Sequence, residues 1–451
     1  MQTVEQCLND LATGRVTSRQ LTERCFARIK DPEGEGGRAF IRLFESQALA
    51  AADASDAMRS AGIPPPPLSG LPLSIKDLFD VAGVTTLAGS KALADRAPAT
   101  RDAPAIARLR AAGAVILGTT NMTEFAMGGL GLNPHYGTPR NPWDRAVGRI
   151  PGGSTSGGAI SVTDGMAPAA IGSDTAGSLR MPAAFTGLVG FKPTARRIPL
   201  EGAIPLAHSL DSIGVMARTV TSCALVDAVM AGEDLGGVPE LPMVPAAGLR
   251  LAVPKTLVMD GLDAQVSGAF ARALTALSQA GCSISEVELA ELAELPRING
   301  KGGFAVFEGH AWHHDLLAAK GDLYDPIVAK RFATGAAFTA KEYIDLCHAR
   351  SDMIRRMRQA TQNFDAVLMP TVPIVAPRIA DLTAEAAWLQ TNRLLIRNPG
   401  IANFLDRCAI SLPCHRQGEA PVGLMMMADT LADRRLLGMA RSVEAVLAGA
   451  G

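Results

Sequence analysis

Short apolar segments that end in Gly, Asp or Ser alternate with helical sequence over much of the chain. After a proline run at 64–67, such segments occur at 73–75, 114–117, 167–171 and 188–191. Apolar runs of this length, bounded by turn residues, predict buried strands. A helix expected over 103–112 and closed by Gly113 separates the first two. The alternation predicts an α/β fold, in which helices pack in layers against a sheet.

The sheet is expected to extend through the C-terminal part of the chain. Similar apolar segments return after residue 250 and continue through 365–451. These further strands are expected at 251–253, 366–369, 409–412 and 425–427. A helix over 264–280, which Gly281 ends, follows the first of them.

Two regions outside this alternation are predicted to be helical. In the N-terminal part, 1–62, Ser18 is expected to cap a helix over 19–29, and an Ala-rich helix covers 47–60. The second region, 292–364, is mostly helical and predicts an inserted lobe.

Three segments concentrate residue types suited to acyl transfer. They are 71–77 with Lys76, 151–158 with Ser154, and 172–180 with Ser178. Ser178 follows a strand and a Gly-containing turn, just before a helix expected to start near residue 179. Its hydroxyl is therefore expected to be exposed, with unpaired backbone N–H groups aimed at the same point. Such donors suit a developing oxyanion.

A serine hydroxyl needs a base to take its proton. No histidine is an obvious partner, whereas Lys76 ends an apolar strand. Burial there disfavours the ammonium form and brings the lysine pKa toward neutrality. Ser154, in a glycine-rich loop, is expected to relay the proton between Ser178 and Lys76.

Together these segments resemble the amidase signature family of serine amidohydrolases. Its members share a Pro-Leu-x-x-Lys-Asp strand, a Gly-Gly-Ser-Ser-Gly-Gly type loop and a Gly-Thr/Ser-Asp-x-Gly-Gly-Ser-x-Arg turn. Further matching segments lie at 118–128, 141–144, 190–193 and 209–214, and the resemblance is densest over 65–220. It implies one domain over 1–451, with a mixed twisted β-sheet between helix layers. It also implies that a smaller helical lobe, 292–364, covers the pocket.

The resemblance also assigns roles to individual residues. The family's catalytic lysine corresponds to Lys76, its nucleophile to Ser178 and its bridging serine, which precedes a cis peptide, to Ser154. The oxyanion donors correspond to the backbone of Thr175, Ala176, Gly177 and Ser178. The structural acid and arginine beside the nucleophile correspond to Asp174 and Arg180. Substrate contacts are expected at Met127, Gly128 and Tyr136.

Three features depart from the family pattern or leave a choice open. Ala176 replaces a common glycine, which adds only a methyl group unless the backbone is left-handed. Ser156 is a rival for the bridging role. The histidine cluster, at helical spacing, comprises His310, His313 and His314. A polar helix face at the pocket is preferred to a metal site, and no metal or organic cofactor is expected.

The predicted function is hydrolysis of a carboxamide or urea-type C–N bond through a serine acyl-enzyme. One alternative is the glutaminase subunit of a tRNA-dependent amidotransferase, which needs partner subunits. Another is a non-catalytic scaffold with the same fold. The segments 194–199, 397–399 and 403–411 are similar to compact bacterial amidases that include carboxybiuret hydrolase. This similarity favours a urea-like or acidic nitrogen compound, and aryl amides remain a possibility.

Charge and cysteine content restrict partners and compartment. The 43 basic and 44 acidic residues nearly cancel, so neither nucleic acid nor an anionic membrane is an expected partner. The seven cysteines are scattered without a C-x-x-C pair, which favours a reducing cytoplasm over a disulfide framework. No leader or membrane-spanning run is recognised. A small-molecule substrate is expected, and a homodimer would be ordinary for the family.

Overall fold

A single mixed sheet runs through the computed structural model, which describes residues 2–233, 241 and 243–449. Its strands are β1 Phe40–Leu43, β2 Pro72–Lys76, β3 Val115–Thr120, β4 Ala169–Asp174, β5 Val189–Lys192, β6 Ser212–Ala217, β7 Arg250–Pro254, β8 Ser283–Val287, β9 Ala366–Pro370, β10 Cys408–Pro413 and β11 Gly423–Ala428. Their order across the sheet is β1-β3-β2-β4-β6-β5-β10-β11-β9-β7-β8. The α/β fold class with a mixed sheet is confirmed.

The parallel part of the sheet brings three strand ends to one edge. Strand β2 lies between β3 and β4 and is parallel to both, with Lys76 opposite Thr120. All three strands are buried along their whole length, as expected for apolar strands covered on both faces. Because parallel strands end at the same edge, residues that follow β2, β3 and β4 meet there.

Helices cover both faces of the sheet. They are α1 Val4–Ala12, α2 Ser18–Ile29, α3 Gly36–Ala39, α4 Glu45–Ser60, α5 Pro104–Ala111, α6 Ser156–Thr163, α7 Arg180–Thr186, α8 Val220–Ala231, α9 Ala264–Gln279, α10 Leu295–Ile298, α11 Gly303–Lys320, α12 Pro326–Ala333, α13 Ala340–Thr361, α14 Glu385–Ile396, α15 Gly400–Phe404 and α16 Asp433–Gly449. Successive residues of β4 show the two layers: Ala170 belongs to a small cluster with Ala159 of α6, whereas Ile171 belongs to a different cluster that includes residues of α8. This is the alternation expected of a sheet between two cores.

The methionine run of β11 serves both cores. Met426 belongs to the cluster on one face, whereas Met425 and Met427 belong to the cluster on the other. The run is therefore core-filling sequence, as expected for flexible thioether side chains in a buried strand.

Some local predictions were wrong. Thr17, and not Ser18, caps α2, because the Thr17 side chain accepts from Gln20 in a capping box. Strands β1, β6 and β8 were not predicted. The region 292–364 is mostly helical as expected, through α10 to α13. Its status as a separate lobe, like the other domain boundaries, stays a prediction. No helix in the described part of the chain is long and apolar enough to cross a membrane.

Candidate active site

Lys76 is the last residue of β2 and has no exposed surface. Its Nζ donates to Ser154 Oγ at 2.8 Å and to Ser173 Oγ, also at 2.8 Å. Ser173 belongs to the parallel neighbour β4, so the sheet itself places one of the two hydroxyls against the amine. Lys76 and Ser154, paired by sequence reasoning, are therefore in direct contact.

Burial lowers the pKa of Lys76 to about 7, against the opposing attraction of Asp174 and Asp211. A neutral amine has two N–H groups and one lone pair. In this neutral form, one N–H donates to the Ser173 hydroxyl, and the lone pair is able to accept a proton from the Ser154 hydroxyl. The geometry is that of a general base near neutral pH.

Ser154 lies in a tightly packed glycine loop that precedes α6. A cis peptide bond joins Gly153 to Ser154, so Ser154 follows the cis peptide and does not precede it as expected. A Cβ on Gly153 would lie 2.6 Å from the backbone N of Gly131, which only glycine avoids. The carbonyl of Ser154 accepts from the N–H of Thr123 at 3.1 Å, which fixes the loop against its neighbour.

Ser178 lies on the turn between β4 and α7 and is 5% exposed. Its carbonyl accepts from the N–H of Thr155 at 3.3 Å, which brings the turn against the residue after Ser154. Within residues 2–233, 241 and 243–449, no hydrogen bond joins the Ser178 hydroxyl to Ser154 or Lys76. Ser156, the rival for the bridging role, donates instead to the carbonyl of Asn121 at 3.3 Å.

Asp174 and Arg180 form a buried ion pair under this turn. Arg180 Nη2 lies 2.8 Å from Asp174 Oδ1, and neither side chain is exposed. Arg180 also donates to Asn403 Oδ1 at 2.7 Å, and Asn403 donates to Asp174. Although burial opposes it, the charge and hydrogen bonds of Arg180 hold the pKa of Asp174 at about 2.

The same carboxylate restricts the set of oxyanion donors. The N–H of Gly177 donates to Asp174 Oδ1 at 2.8 Å, so this N–H is already engaged. Thr175, Ala176 and Ser178 remain as expected donors.

Gly177 and Ala176 shape the turn differently. Gly177 has φ +117°, and a Cβ there would lie 2.6 Å from Pro399, so glycine is required. Ala176 does not adopt a positive φ, which explains why a methyl group is accepted at that position.

The expected substrate contacts are not among the residues that line the cleft described below, although Ala126, next to Met127, is one of them. The Met127 side chain is buried in the core, and its carbonyl accepts from Arg331 at 2.7 Å. A Cβ on Gly128 would lie 2.9 Å from Trp388. The Tyr136 hydroxyl donates to the carbonyl of Ser90 at 3.4 Å.

A narrow cleft lies beside Lys76, with Ser173 on its wall. Its polar side chains are Ser173, Thr175, His208 and Asp211. Asp211 accepts from Thr175 Oγ1 at 2.5 Å, and burial raises its pKa to about 6. Sequence reasoning missed Ser173, Asp211 and Asn403. Ser173 occupies the Thr/Ser position of the matched turn motif, and Asp211 lies inside the matched segment 209–214, so both were signalled.

Two histidines of the predicted cluster, His313 and His314, lie against other side chains of the protein. His313 is buried against Phe332, and its Nδ1 lies 2.8 Å from the Tyr324 hydroxyl. His314 is exposed and lies beside Asp315. Among the residues that the structure describes, no group of three or more His, Cys, Asp or Glu side chains is placed to hold a metal ion.

Comparison with known proteins gives the family. The amidase family model matches residues 20–437. This chain belongs to the amidase signature family. A member of similar sequence is a 2-amino-5-chloromuconic acid deaminase from Comamonas testosteroni. It is 37% identical over 408 residues, which cover 89% of this chain and 87% of that protein.

Other amidase signature proteins match over nearly the whole chain. A glutamyl-tRNA(Gln) amidotransferase subunit from Roseiflexus castenholzii is 34% identical over 472 residues, or 96% of this chain and 94% of that protein. A crystal structure of an amidase matches with a TM-score of 0.88 and 31% identity, covering 98% of this chain and 99% of that chain. The chain is an amidohydrolase, a hydrolase that acts on C–N bonds.

Proposed function

We propose that this amidase hydrolyses a carboxamide or urea-type C–N bond with Ser178 as nucleophile, Ser154 as proton relay and Lys76 as base. The observation that carries the proposal is the buried Lys76 amine, held between two hydroxyls with its pKa lowered to about 7. Burying an amine disfavours its charged form, and perturbed pKa values of this kind cluster at functional sites.

The reaction begins when Ser178 Oγ attacks the substrate carbonyl carbon. The Ser178 proton passes to Ser154, whose own proton passes to the lone pair of Lys76. The backbone N–H groups of Thr175, Ala176 and Ser178 stabilise the oxyanion of the tetrahedral intermediate. The link between Ser178 and Ser154 is expected to form when substrate binds, since catalytic hydrogen bonds often tighten only in the complex.

The C–N bond then breaks. The proton on Lys76 returns through Ser154 to the leaving nitrogen, which departs as a neutral amine or ammonia. Water attacks the resulting acyl-enzyme, and its proton follows the same path to Lys76. Collapse of the second intermediate releases the acid and restores the Ser178 hydroxyl.

Replacing either end of the relay tests this mechanism. Lys76→Ala and Ser178→Ala are each expected to abolish turnover of a simple amide. Both variants should remain folded, as judged by their melting temperatures. Loss of the nucleophile removes the acyl-enzyme route, and loss of Lys76 leaves no base. Near-wild-type turnover in either folded variant would contradict the proposal.

A second candidate is the glutaminase subunit of a tRNA-dependent amidotransferase. It is supported by 34% identity to the Roseiflexus castenholzii amidotransferase subunit over 96% of this chain. That function predicts little glutamine hydrolysis by the isolated chain, because partner subunits would be required. Robust hydrolysis of simple amides by the isolated chain counts against it. A scaffold without turnover predicts no reaction with any serine-directed acylating reagent.

A further inference from the structure

The cleft beside Lys76 is suited to hold the substrate group attached to the scissile carbonyl. Ser173 lines the cleft and accepts from Lys76, which places the cleft at the proposed base. Thr175, a proposed oxyanion donor, lines it as well. Because it adjoins both the proposed base and a proposed oxyanion donor, the cleft is the candidate site for the group that stays attached to Ser178 in the acyl-enzyme.

Most of the cleft wall is apolar. Leu78, Ile204, Leu206 and Ile213 are buried side chains that line it, and Leu200 is a half-buried one. Apolar walls with few polar groups are the usual setting for an apolar ligand group.

The polar side chains of the cleft are largely engaged within the protein. Asp211 accepts from the Thr175 hydroxyl through Oδ1, and from the N–H groups of Leu206 and Ala207 through Oδ2, both at 3.0 Å. The Ser173 hydroxyl is held by Lys76. His208 is exposed. The buried cleft wall therefore offers a substrate few free hydrogen-bond donors.

The charge of the cleft opposes an anionic substrate group. Asp211 is a buried carboxylate, and none of the described residues that line the cleft is a lysine or an arginine. A carboxylate on the acyl group would lose its hydration without gaining a cationic partner, which is strongly unfavourable.

We infer that this cleft binds a short, uncharged aliphatic acyl group and discriminates against acyl groups that carry a carboxylate. The inference rests on the proposed function and adds the substrate class. This substrate class differs from the acidic compounds that the sequence favoured. It also differs from the acidic compound in the name of the Comamonas testosteroni relative.

Two amides of matched shape test the inference. In succinamate a carboxylate occupies the position that an isopropyl group occupies in 4-methylpentanamide. We expect kcat/KM for 4-methylpentanamide to exceed that for succinamate by at least about a hundredfold, since a buried charge would be left unpaired. Equal or faster hydrolysis of succinamate would overturn the inference.

A positive charge placed in the cleft wall should shift the preference toward succinamate. Leu200→Arg is expected to raise kcat/KM for succinamate by at least about tenfold and to lower it for 4-methylpentanamide. Leu200→Gln is the matched control, polar but uncharged, and should not gain activity on succinamate. A Leu200→Arg enzyme that still reacts with a fluorophosphonate but shows no gain would count against the cleft as the acyl site.

Failure of the inference is distinguishable from failure of the mechanism. The same two acyl groups are supplied as p-nitroanilides, with Ser178→Ala as the background. Ser178-dependent release of p-nitroaniline that favours the succinyl anilide overturns the cleft assignment alone. Ser178-independent release from both anilides, with no fluorophosphonate adduct, contradicts the proposed function itself.

Discussion

Protonation of Lys76 is expected to stop turnover as the pH falls through about 7. Burial lowers the pKa of this amine from 10.5 to about 7. The base acts in its neutral form, so activity is present above the pKa and lost below it. About half of the enzyme should carry a neutral Lys76 at pH 7, about a tenth at pH 6 and about a hundredth at pH 5. A lysine with its ordinary pKa would be neutral in only about 0.03% of molecules at pH 7.

The assay is kcat/KM for a neutral amide across about pH 5 to 9, because this parameter reports the pKa values of the free enzyme. Asp211 also titrates in this range, with a pKa of about 6, and its charge raises the pKa of Lys76. Asp211→Asn removes that charge and should move the midpoint to lower pH. Asp174, with a pKa of about 2, stays ionised throughout.

Three results would contradict this reasoning. A profile that is flat from about pH 5 to 8 would show that no base titrates near neutrality. A midpoint near the ordinary lysine value would show that Lys76 is not desolvated in solution. A midpoint that rises in Asp211→Asn would contradict the electrostatic assignment.

Three further substitutions follow from the turn around Ser178. Arg180→Met leaves the buried carboxylate of Asp174 unpaired and should destabilise the protein by about 3–5 kcal/mol in urea unfolding; a loss below about 1 kcal/mol would contradict the pairing. Gly177→Ala imposes a strained φ and a clash, and should lower kcat by about a hundredfold; unchanged kcat would show that the turn relaxes. Ser173→Ala removes an acceptor of Lys76 and should lower kcat by about 10- to 100-fold, with rescue by Ser173→Thr; equal activity in both variants would exclude a positioning role.

The strands that form the site were predictable because their sequence is locally distinctive. The apolar runs of β2, β3 and β4 end in turn residues. Lys76 ends β2, the segment with Ser154 lies between β3 and β4, and Ser178 follows β4. Strand β6 was missed although it is apolar and buried throughout. Strands β1 and β8 pair only at the two edges of the sheet, where they are partly exposed and polar residues interrupt their apolar runs. Such pairing depends on tertiary context more than on local preference.

Contacts between distant segments limited the prediction of the site. The sequence indicated Lys76 and Ser154 as partners. The turn motif marked the position of Ser173 but did not reveal that its hydroxyl accepts from the same amine. Asn403 reaches Asp174 across 229 residues, a contact that no local pattern encodes. The Gly177 N–H was expected to face an oxyanion, because the sequence does not reveal that the Asp174 carboxylate turns back to accept it.

Intact-protein mass after reaction with a fluorophosphonate tests the central claim most directly. Wild type, Ser178→Ala and Lys76→Ala are compared after a common exposure, with melting temperatures confirming that all three are folded. The account predicts one adduct on the wild type and none on either variant, since only Ser178 with Lys76 as its base is activated. An adduct that persists in folded Ser178→Ala, or full labelling of Lys76→Ala, would contradict it.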